Sequence, residues 1–241
     1  MTRFFVSPEE LTGEHITLTG DNAQHARVLR LKNGEEVLVC DGQGFECLCS
    51  VADAASMELT VLEHRPSRTE AAVRFSVYMA LSKGDKLEHV IQKATELGAY
   101  EIVAFPSARC ISSPDEKSIS KKLERWQKIA ASAAEQSGRG RIPEVLVLPS
   151  FTAAVNRAVE ADKALFFYEN EPATTLRMAL EEGSWHTVSL LTGPEGGLEE
   201  KEVEQERDAG MAVCTLGSRI LRCETAPLCA LSAVMYAAGE F

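Results

Sequence analysis

The sequence lacks the features that mark membrane, secreted and zinc-binding proteins. It has no apolar run long enough to span a bilayer and no charged N-terminal segment followed by an apolar one. Its seven cysteines fit neither a disulfide framework nor a site built from CxxC pairs, and its five histidines are scattered. These absences predict a soluble, cytoplasmic protein with reduced thiols and no metal.

Positive charge is scarce overall and concentrated in the middle of the chain. The formal net charge of −11 argues against a nucleic-acid partner, because phosphate contacts need lysine and arginine. Residues 71–145, however, carry 12 basic and 9 acidic side chains, whereas both flanking segments are acidic. The middle segment is compatible with an anionic partner, although a solvated helix face explains such a run of basic residues more often than not.

The apolar patterning predicts two domains, at residues 1–68 and 71–241. In the first, strands at 35–40, 45–52 and 57–63 surround a tight turn at 41–44 and indicate a small β-barrel. From Val73 onward, apolar strands alternate with amphipathic helices, which is typical of an α/β fold with a parallel sheet. The elements predicted there are strands at 73–81, 102–105, 164–168, 188–191 and 211–215, and helices at 85–97, 118–136, 198–209 and 226–238.

Two of these helices carry specific expectations. Asp85 and Glu88 are spaced as a capping box at the start of the first helix, and Gly98 marks its end. The helix at 118–136 should bury one apolar face and turn its basic residues outward. That apolar face consists of Ile119, Leu123, Trp126, Ala130 and Ala133.

The sharpest local motif is TGPEGG at 192–197, between a predicted strand and a predicted helix. Such strand-loop-helix units commonly bind ligands in α/β sheets. Phosphate is disfavoured, because four glutamates crowd the helix start, and the motif fits neither a P-loop nor GxGxxG. A neutral or cationic ligand, such as the adenosine and sulfonium of S-adenosylmethionine, fits better. A purely structural turn is an equal alternative.

A second motif, at 216–225, places Arg219, Arg222 and Glu224 between a strand and an apolar helix. Charges near a core are costly unless they are paired or used, so either a functional loop or a buried salt bridge explains them. The helix that follows is apolar on nearly every side. We therefore expect it to pack both in the core and against another subunit.

Five ordered motifs make the sequence resemble one family, the bacterial 16S ribosomal RNA uracil-N3 methyltransferases of the SPOUT class. They are RFF at 3–5 with HARVLRL at 25–31, KGDK at 83–86 with QKATELG at 92–98, RWQKIA at 125–130 with AEQSGR at 134–139, GPEGG at 193–197, and LGSRILRCET at 216–225. Two positions depart from the family pattern: Cys223 stands where threonine is expected and Ser218 where proline is common.

The resemblance implies a PUA-like β-barrel that docks RNA, followed by a SPOUT domain with a C-terminal trefoil knot. It also implies a homodimer acting on 16S rRNA, within the small ribosomal subunit, with S-adenosylmethionine as cofactor. The residues implied to bind the cofactor are Leu191, Thr192, Gly193, Gly196, Gly197, Leu216, Gly217, Ile220, Leu221 and Arg222.

The implied reaction suggests roles in catalysis and RNA binding. Arg222 is expected to stabilise negative charge on the target uracil, and Glu195 or Glu224 to act as base or to position that arginine. For each glutamate, a purely structural ion pair is an equal alternative. The residues expected to contact RNA are Arg3, Arg27, Arg30, Lys83, Arg139 and Arg141. Two alternatives stay open: ribose 2′-O methylation by the same fold, and a non-catalytic RNA-binding factor in ribosome assembly.

Overall fold

The computed structural model of the chain describes residues 1–110, 116–181 and 183–241. They divide into two compact units, one of residues 1–70 with 134–142 and one of residues 71–133 with 143–241. Nothing in the sequence pattern indicated that 134–142 would group with the N-terminal residues. The predicted domains at 1–68 and 71–241 stay a prediction.

The first unit is built on one five-stranded sheet, in the order β1-β3-β4-β5-β2. The strands are β1 (Arg3–Phe5), β2 (His15–Thr17), β3 (Glu36–Cys40), β4 (Phe45–Asp53) and β5 (Glu58–Pro66), with a 3-10 helix at Pro8–Thr12 and helix α1 at Gly20–Val28. Neighbouring strands are antiparallel except β1 and β3. The three strands predicted from the sequence are confirmed as β3, β4 and β5.

Alternating side chains of these strands form the core of the first unit. Val37 and Val39 of β3, Cys47 and Cys49 of β4 and Leu59 of β5 are all buried in one cluster. The cysteines are free thiols here as elsewhere in the chain. They fill the core as small side chains, and the Cys47 sulfur also lies 3.1 Å from His64 Nδ1.

The segment 134–142 is held to the first unit by Glu70. Its carboxylate accepts hydrogen bonds from the Arg139 guanidinium at 2.6 Å and from the backbone N–H groups of Gly140 and Arg141 at 3.0 and 3.1 Å. Arg139 is only 3% exposed. An ion pair with Glu70 therefore accounts for an arginine that was predicted to contact RNA.

The second unit is an α/β fold around a six-stranded parallel sheet, in the order β11-β9-β10-β6-β7-β8. The strands are β6 (Arg74–Ala80), β7 (Glu101–Phe105), β8 (Glu144–Val147), β9 (Lys163–Phe167), β10 (Thr187–Thr192) and β11 (Ala212–Cys214). The helices are α2 (Lys86–Leu97), α3 (Glu116–Ser137), α4 (Phe151–Ala158), α5 (Leu176–Leu180), α6 (Glu200–Asp208) and α7 (Ala226–Ala238). This confirms the predicted α/β fold with a parallel sheet; β8 was not predicted.

The predicted capping box of α2 is wrong, although the helix and its end at Gly98 are confirmed. Asp85 is the N-cap residue, but its backbone (φ −98°, ψ 6°) is not extended and its side chain caps nothing. Because capping needs an extended N-cap, the carboxylate is not directed at the helix N–H groups. Glu88 instead accepts a hydrogen bond from Arg125 at 2.6 Å.

Helices α3 and α7 differ in how completely they bury their apolar residues. On α3, Trp126, Ala130 and Ala133 are buried as predicted, whereas Ile119 and Leu123 are only half-buried. Helix α7 packs against α2, β6 and β10, yet Tyr236 near its end is 76% exposed. No helix among the described residues combines the length and apolarity needed to cross a membrane.

Candidate functional site

A pocket of about 440 Å³ opens in the second unit where β9, β10 and β11 end. The carboxyl ends of parallel strands meet at one edge of a sheet, which is where α/β folds bind ligands. Both motifs singled out in the sequence contribute to it. Of the predicted site residues, those that line the pocket are Thr192, Gly193, Glu195, Gly197, Leu216, Gly217, Ile220, Leu221 and Arg222.

The glycines of the first loop are required by its geometry. Gly197 has φ +69°, in the left-handed region that favours glycine, and its N–H closes a turn onto the Pro194 carbonyl at 3.0 Å. A Cβ on Gly196 would lie 3.1 Å from the Cβ and 3.2 Å from the carbonyl oxygen of Arg109. The loop thus keeps a tight backbone path between β10 and α6.

Three predicted site residues lie beside the pocket and do not line it. Leu191 is fully buried in the hydrophobic core of the second unit. Gly196 contacts Arg109, whose guanidinium donates to the Gly196 carbonyl at 3.3 Å. Glu224 is half-buried and accepts a hydrogen bond from the Cys223 thiol at 3.2 Å. Their predicted contact with the cofactor or substrate has no support from this geometry.

The second loop is more open than a buried salt bridge would require. Arg219 and Arg222 are both exposed, and neither forms an ion pair within the described part of the chain. Ile220 between them is 85% exposed although it is large and apolar. The alternative of a buried salt bridge ahead of α7 is therefore wrong, and the loop offers charged and apolar groups at the mouth of the pocket.

Glu195 is the most constrained charged residue of the pocket. Its Oε1 accepts hydrogen bonds from the Lys83 backbone N–H at 2.9 Å and the Lys86 ammonium at 3.0 Å. Burial alone would raise the pKa of Glu195, but hydrogen bonds from its own N–H and from these two lysines lower it. The carboxylate is therefore ionised at neutral pH.

Cys223, one of the two departures from the family pattern, is not a nucleophile. Burial raises the pKa of its thiol to about 12, helped by the hydrogen bond to Glu224 and the charge of Glu195. A thiol with this pKa stays protonated at neutral pH, and only the thiolate is strongly nucleophilic. Cys223 therefore serves as a hydrogen-bond donor to Glu224.

Several lining residues escaped the sequence interpretation. They include Lys86 on the first turn of α2, Phe166, Phe167, Tyr168 and Glu169 at the end of β9, Leu198 before α6, and Thr215, Cys223 and Ala226 near the second loop. A signal existed for the β9 residues, because the end of a predicted parallel strand points to the ligand edge. Lys86 belongs to the KGDK motif at 83–86, but that motif did not indicate a place in the pocket, since only the tertiary fold brings α2 to this loop.

The residues predicted to contact RNA fall into two groups. Arg3 and Arg139 are largely buried and paired, Arg3 with Glu46 at 2.7 Å and Arg139 with Glu70 at 2.6 Å. Because these guanidiniums already have carboxylate partners, their predicted phosphate contacts have no support in this structure. The residues that remain accessible are Arg27, Arg30 and Lys83, which are exposed, and Arg141, which is half-buried and donates to the Gln43 carbonyl.

Fold and pocket together define a protein of the α/β class that binds a small ligand at the ends of parallel strands. Residues 69–235 match the family described as RNA methyltransferase domain, and residues 18–62 match the RNA methyltransferase PUA domain. The chain belongs to this RNA methyltransferase family. The resemblance inferred from the five motifs is thereby confirmed.

Curated relatives and solved structures agree with this assignment. The chain is 37% identical to Ribosomal RNA small subunit methyltransferase E of Bacillus subtilis, across 98% of this chain and 96% of the relative. It is 32% identical to the crystal structure of the Neisseria gonorrhoeae protein of that name bound to S-adenosyl methionine, with a TM-score of 0.85 over 98% of each chain. A putative methyltransferase of Legionella pneumophila in complex with the same cofactor is 29% identical, with a TM-score of 0.83 and the same coverage.

Proposed function

We propose that the chain is an S-adenosylmethionine-dependent methyltransferase that modifies N3 of a uridine in 16S rRNA of the small ribosomal subunit. The observation that carries this proposal is the pocket at the strand ends, in a chain that aligns over 98% of its length with a relative bound to S-adenosyl methionine. The relatives named Ribosomal RNA small subunit methyltransferase E supply the RNA class.

The residues present fit S-adenosylmethionine. Leu198, Leu216 and Leu221 give apolar walls for an adenine ring, and about 440 Å³ lies in the usual range for small-ligand sites. The lining carries both signs of charge: the carboxylates of Glu169 and Glu195, and the cations of Lys86, Arg219 and Arg222. When bound, the cofactor supplies a methyl group made electrophilic by the neighbouring sulfonium.

The chain itself supplies binding and orientation. Backbone groups of 192–197 and 216–221 hold the ligand, because the glycine loops bring main chain to the pocket wall. Arg222 lies exposed at the mouth, where its guanidinium donates to the uracil oxygen that gains negative charge as the proton leaves N3. No residue of this mechanism requires a metal.

RNA and subunit contacts complete the proposal. Domain 1–68 docks the RNA through Arg27 and Arg30, and Lys83 and Arg141 add phosphate contacts. A second copy of the chain covers the exposed part of α7 around Cys229 and Tyr236, so that the enzyme is a homodimer. The protein acts in the cytoplasm on ribosomal particles, and its C-terminal segment forms the trefoil knot of the SPOUT class.

The proposal is tested by methylation of small ribosomal subunits from a strain that lacks the enzyme. Nuclease digestion and mass spectrometry of the product should show one added methyl group on a uracil base. A methyl group on ribose would favour the 2′-O alternative. No transfer and no cofactor binding by purified protein would favour a non-catalytic assembly factor.

A further inference from the structure

The two oxygens of the Glu195 carboxylate have different surroundings. Oε1 accepts hydrogen bonds from Lys83 and Lys86, whereas Oε2 is withdrawn from solvent and accepts no hydrogen bond from another described residue. An ionised oxygen buried without a donor costs the desolvation free energy that a hydrogen bond would offset. Since Glu195 lines the pocket, a bound molecule could supply the hydrogen-bond donor that Oε2 lacks.

The geometry points to Glu195 Oε2 as the acceptor of the N3–H of the target uracil, with Lys86 as the residue that positions and charges this carboxylate. The inference rests on the proposed function and deepens it. It assigns a role to Lys86, which ends the KGDK motif at 83–86 but was not among the predicted site residues, and it selects Glu195 over Glu224 as the group that receives the proton.

Lys86 also decides which donor fits Oε2. The ammonium of the cofactor's methionine part would be a second cation next to Lys86, and two cations sharing one carboxylate repel each other. A neutral N–H meets no such repulsion. Uracil offers an N–H at position 3, whereas cytosine offers a lone pair that a carboxylate repels. The arrangement therefore selects uracil over cytosine.

Proton and electrons balance in a single step. Glu195 Oε2 takes the N3 proton as the new bond forms, and the electron pair of the N3–H bond becomes the N3–C bond to the methyl group. The pair of the broken S–C bond stays on sulfur, which becomes a neutral thioether. A carboxylate of lowered pKa suffices, because the N–H grows more acidic as the methyl carbon bonds to N3.

Because Lys86 acts through Glu195, its role is tested by measuring the pKa of the Glu195 carboxyl in Lys86 variants. The carboxyl carbon of Glu195 is titrated by NMR in the cofactor-free protein, with the resonance assigned by its loss in Glu195→Gln. Lys86→Met should raise the midpoint by about one to three pH units, because an ammonium 3.0 Å away is removed. Lys86→Arg should restore the low midpoint.

Kinetics and binding supply the second readout. The acidic limb of the pH–rate profile should move upward in Lys86→Met by the same amount as the NMR midpoint. Lys93→Met is the matched control, because Lys93 lies on the same helix and forms a comparable ion pair with Glu96 at 2.8 Å. It should change neither the midpoint nor the limb. Glu195→Gln should leave the affinity for S-adenosylmethionine within about threefold of wild type.

Two results would overturn the inference while leaving the proposed function standing. One is a loss of rate in Lys86→Met with an unchanged Glu195 midpoint and acidic limb, which would make Lys86 merely structural. The other is a large loss of cofactor affinity in Glu195→Gln, which would place the methionine ammonium at Oε2. If instead the wild-type protein does not methylate small subunits, that result contradicts the proposed function itself.

Discussion

Two glutamates near helix α6 show how differently one side chain behaves in two parts of the same unit. Glu195, in the loop before the helix, has two donors on one oxygen and a lowered pKa. Glu206, on the helix, is fully buried, and neither of its oxygens has a hydrogen-bond partner within the described residues. Burial and the charge of Glu202 raise the pKa of Glu206 to about 10.

Depth and donors together decide the charge of these two carboxyls, because Glu206 is fully buried without a donor whereas Glu195 is half-buried and has donors. Both groups are desolvated, and desolvation alone pushes each pKa upward. Only Glu195 has N–H donors and an ammonium to offset it. The pocket therefore holds an anion, and the core beneath α6 holds a neutral acid that plays no part in the proposed chemistry.

The largest predicted effect is a difference in kcat between variants of the two glutamates. Glu195→Gln removes the proton acceptor and should lower kcat by about 100-fold or more. Glu206→Gln, the same substitution in the core, should leave kcat near wild type. Single-turnover methylation of small subunits measures both. Equal losses of kcat in the two variants would contradict the different roles assigned to Glu195 and Glu206.

The next loss of kcat is expected for a substitution of Arg222. Arg222→Ala removes a donor to the developing negative charge and should lower kcat by about 100- to 1,000-fold. The side chain is exposed and forms no ion pair among the described residues, so thermal stability and dimerisation should change little. Near-normal turnover of a folded Arg222→Ala dimer would remove the residue from the mechanism.

Glu206 should instead affect how the free energy of unfolding depends on pH. Its folded-state pKa of about 10 lies above the ordinary value of 4.5, so the folded protein binds the extra proton between these limits. The free energy of unfolding should therefore fall as pH rises from 4.5 to 10, by about 3 kcal/mol at pH 7.

Denaturant unfolding of wild type and Glu206→Gln across this pH range is the corresponding measurement. The variant should lose the slope that Glu206 contributes and should be the more stable protein at pH 8. Glu195→Gln serves as the control for a carboxylate that is already ionised. A wild-type slope that survives in Glu206→Gln would contradict a neutral Glu206.

The smallest effect concerns RNA. Arg27→Glu with Arg30→Glu should weaken substrate binding by roughly tenfold and flatten its dependence on salt, because two phosphate contacts are lost. The same reversal should not alter cofactor affinity. Binding measured at several salt concentrations checks this, and an unchanged salt slope would count against these two arginines.

Local signals in the sequence predicted the parallel sheet and the two loops. The motif at 192–197 needs glycine at 197 because of its positive φ, and such a requirement is visible in the residues themselves. The contact of Lys86 with Glu195 is not visible there, because it joins a helix and a loop that are distant in sequence. Only the strand order brings them together.

The charge pattern was the least reliable guide. Arg139 belongs to a run of basic residues that reads as a solvated face, yet Glu70 pairs with it inside the first unit. In α6, Glu202, Val203 and Glu206 are spaced to share one face, and all three are buried. That spacing is visible in the sequence, but nothing in it says which face meets the sheet.

The central claim, that the pocket formed by the two glycine loops binds S-adenosylmethionine, is tested most directly by calorimetry on the purified protein. S-adenosylmethionine should bind at one site per chain. No binding of S-adenosylmethionine by folded protein would contradict the claim.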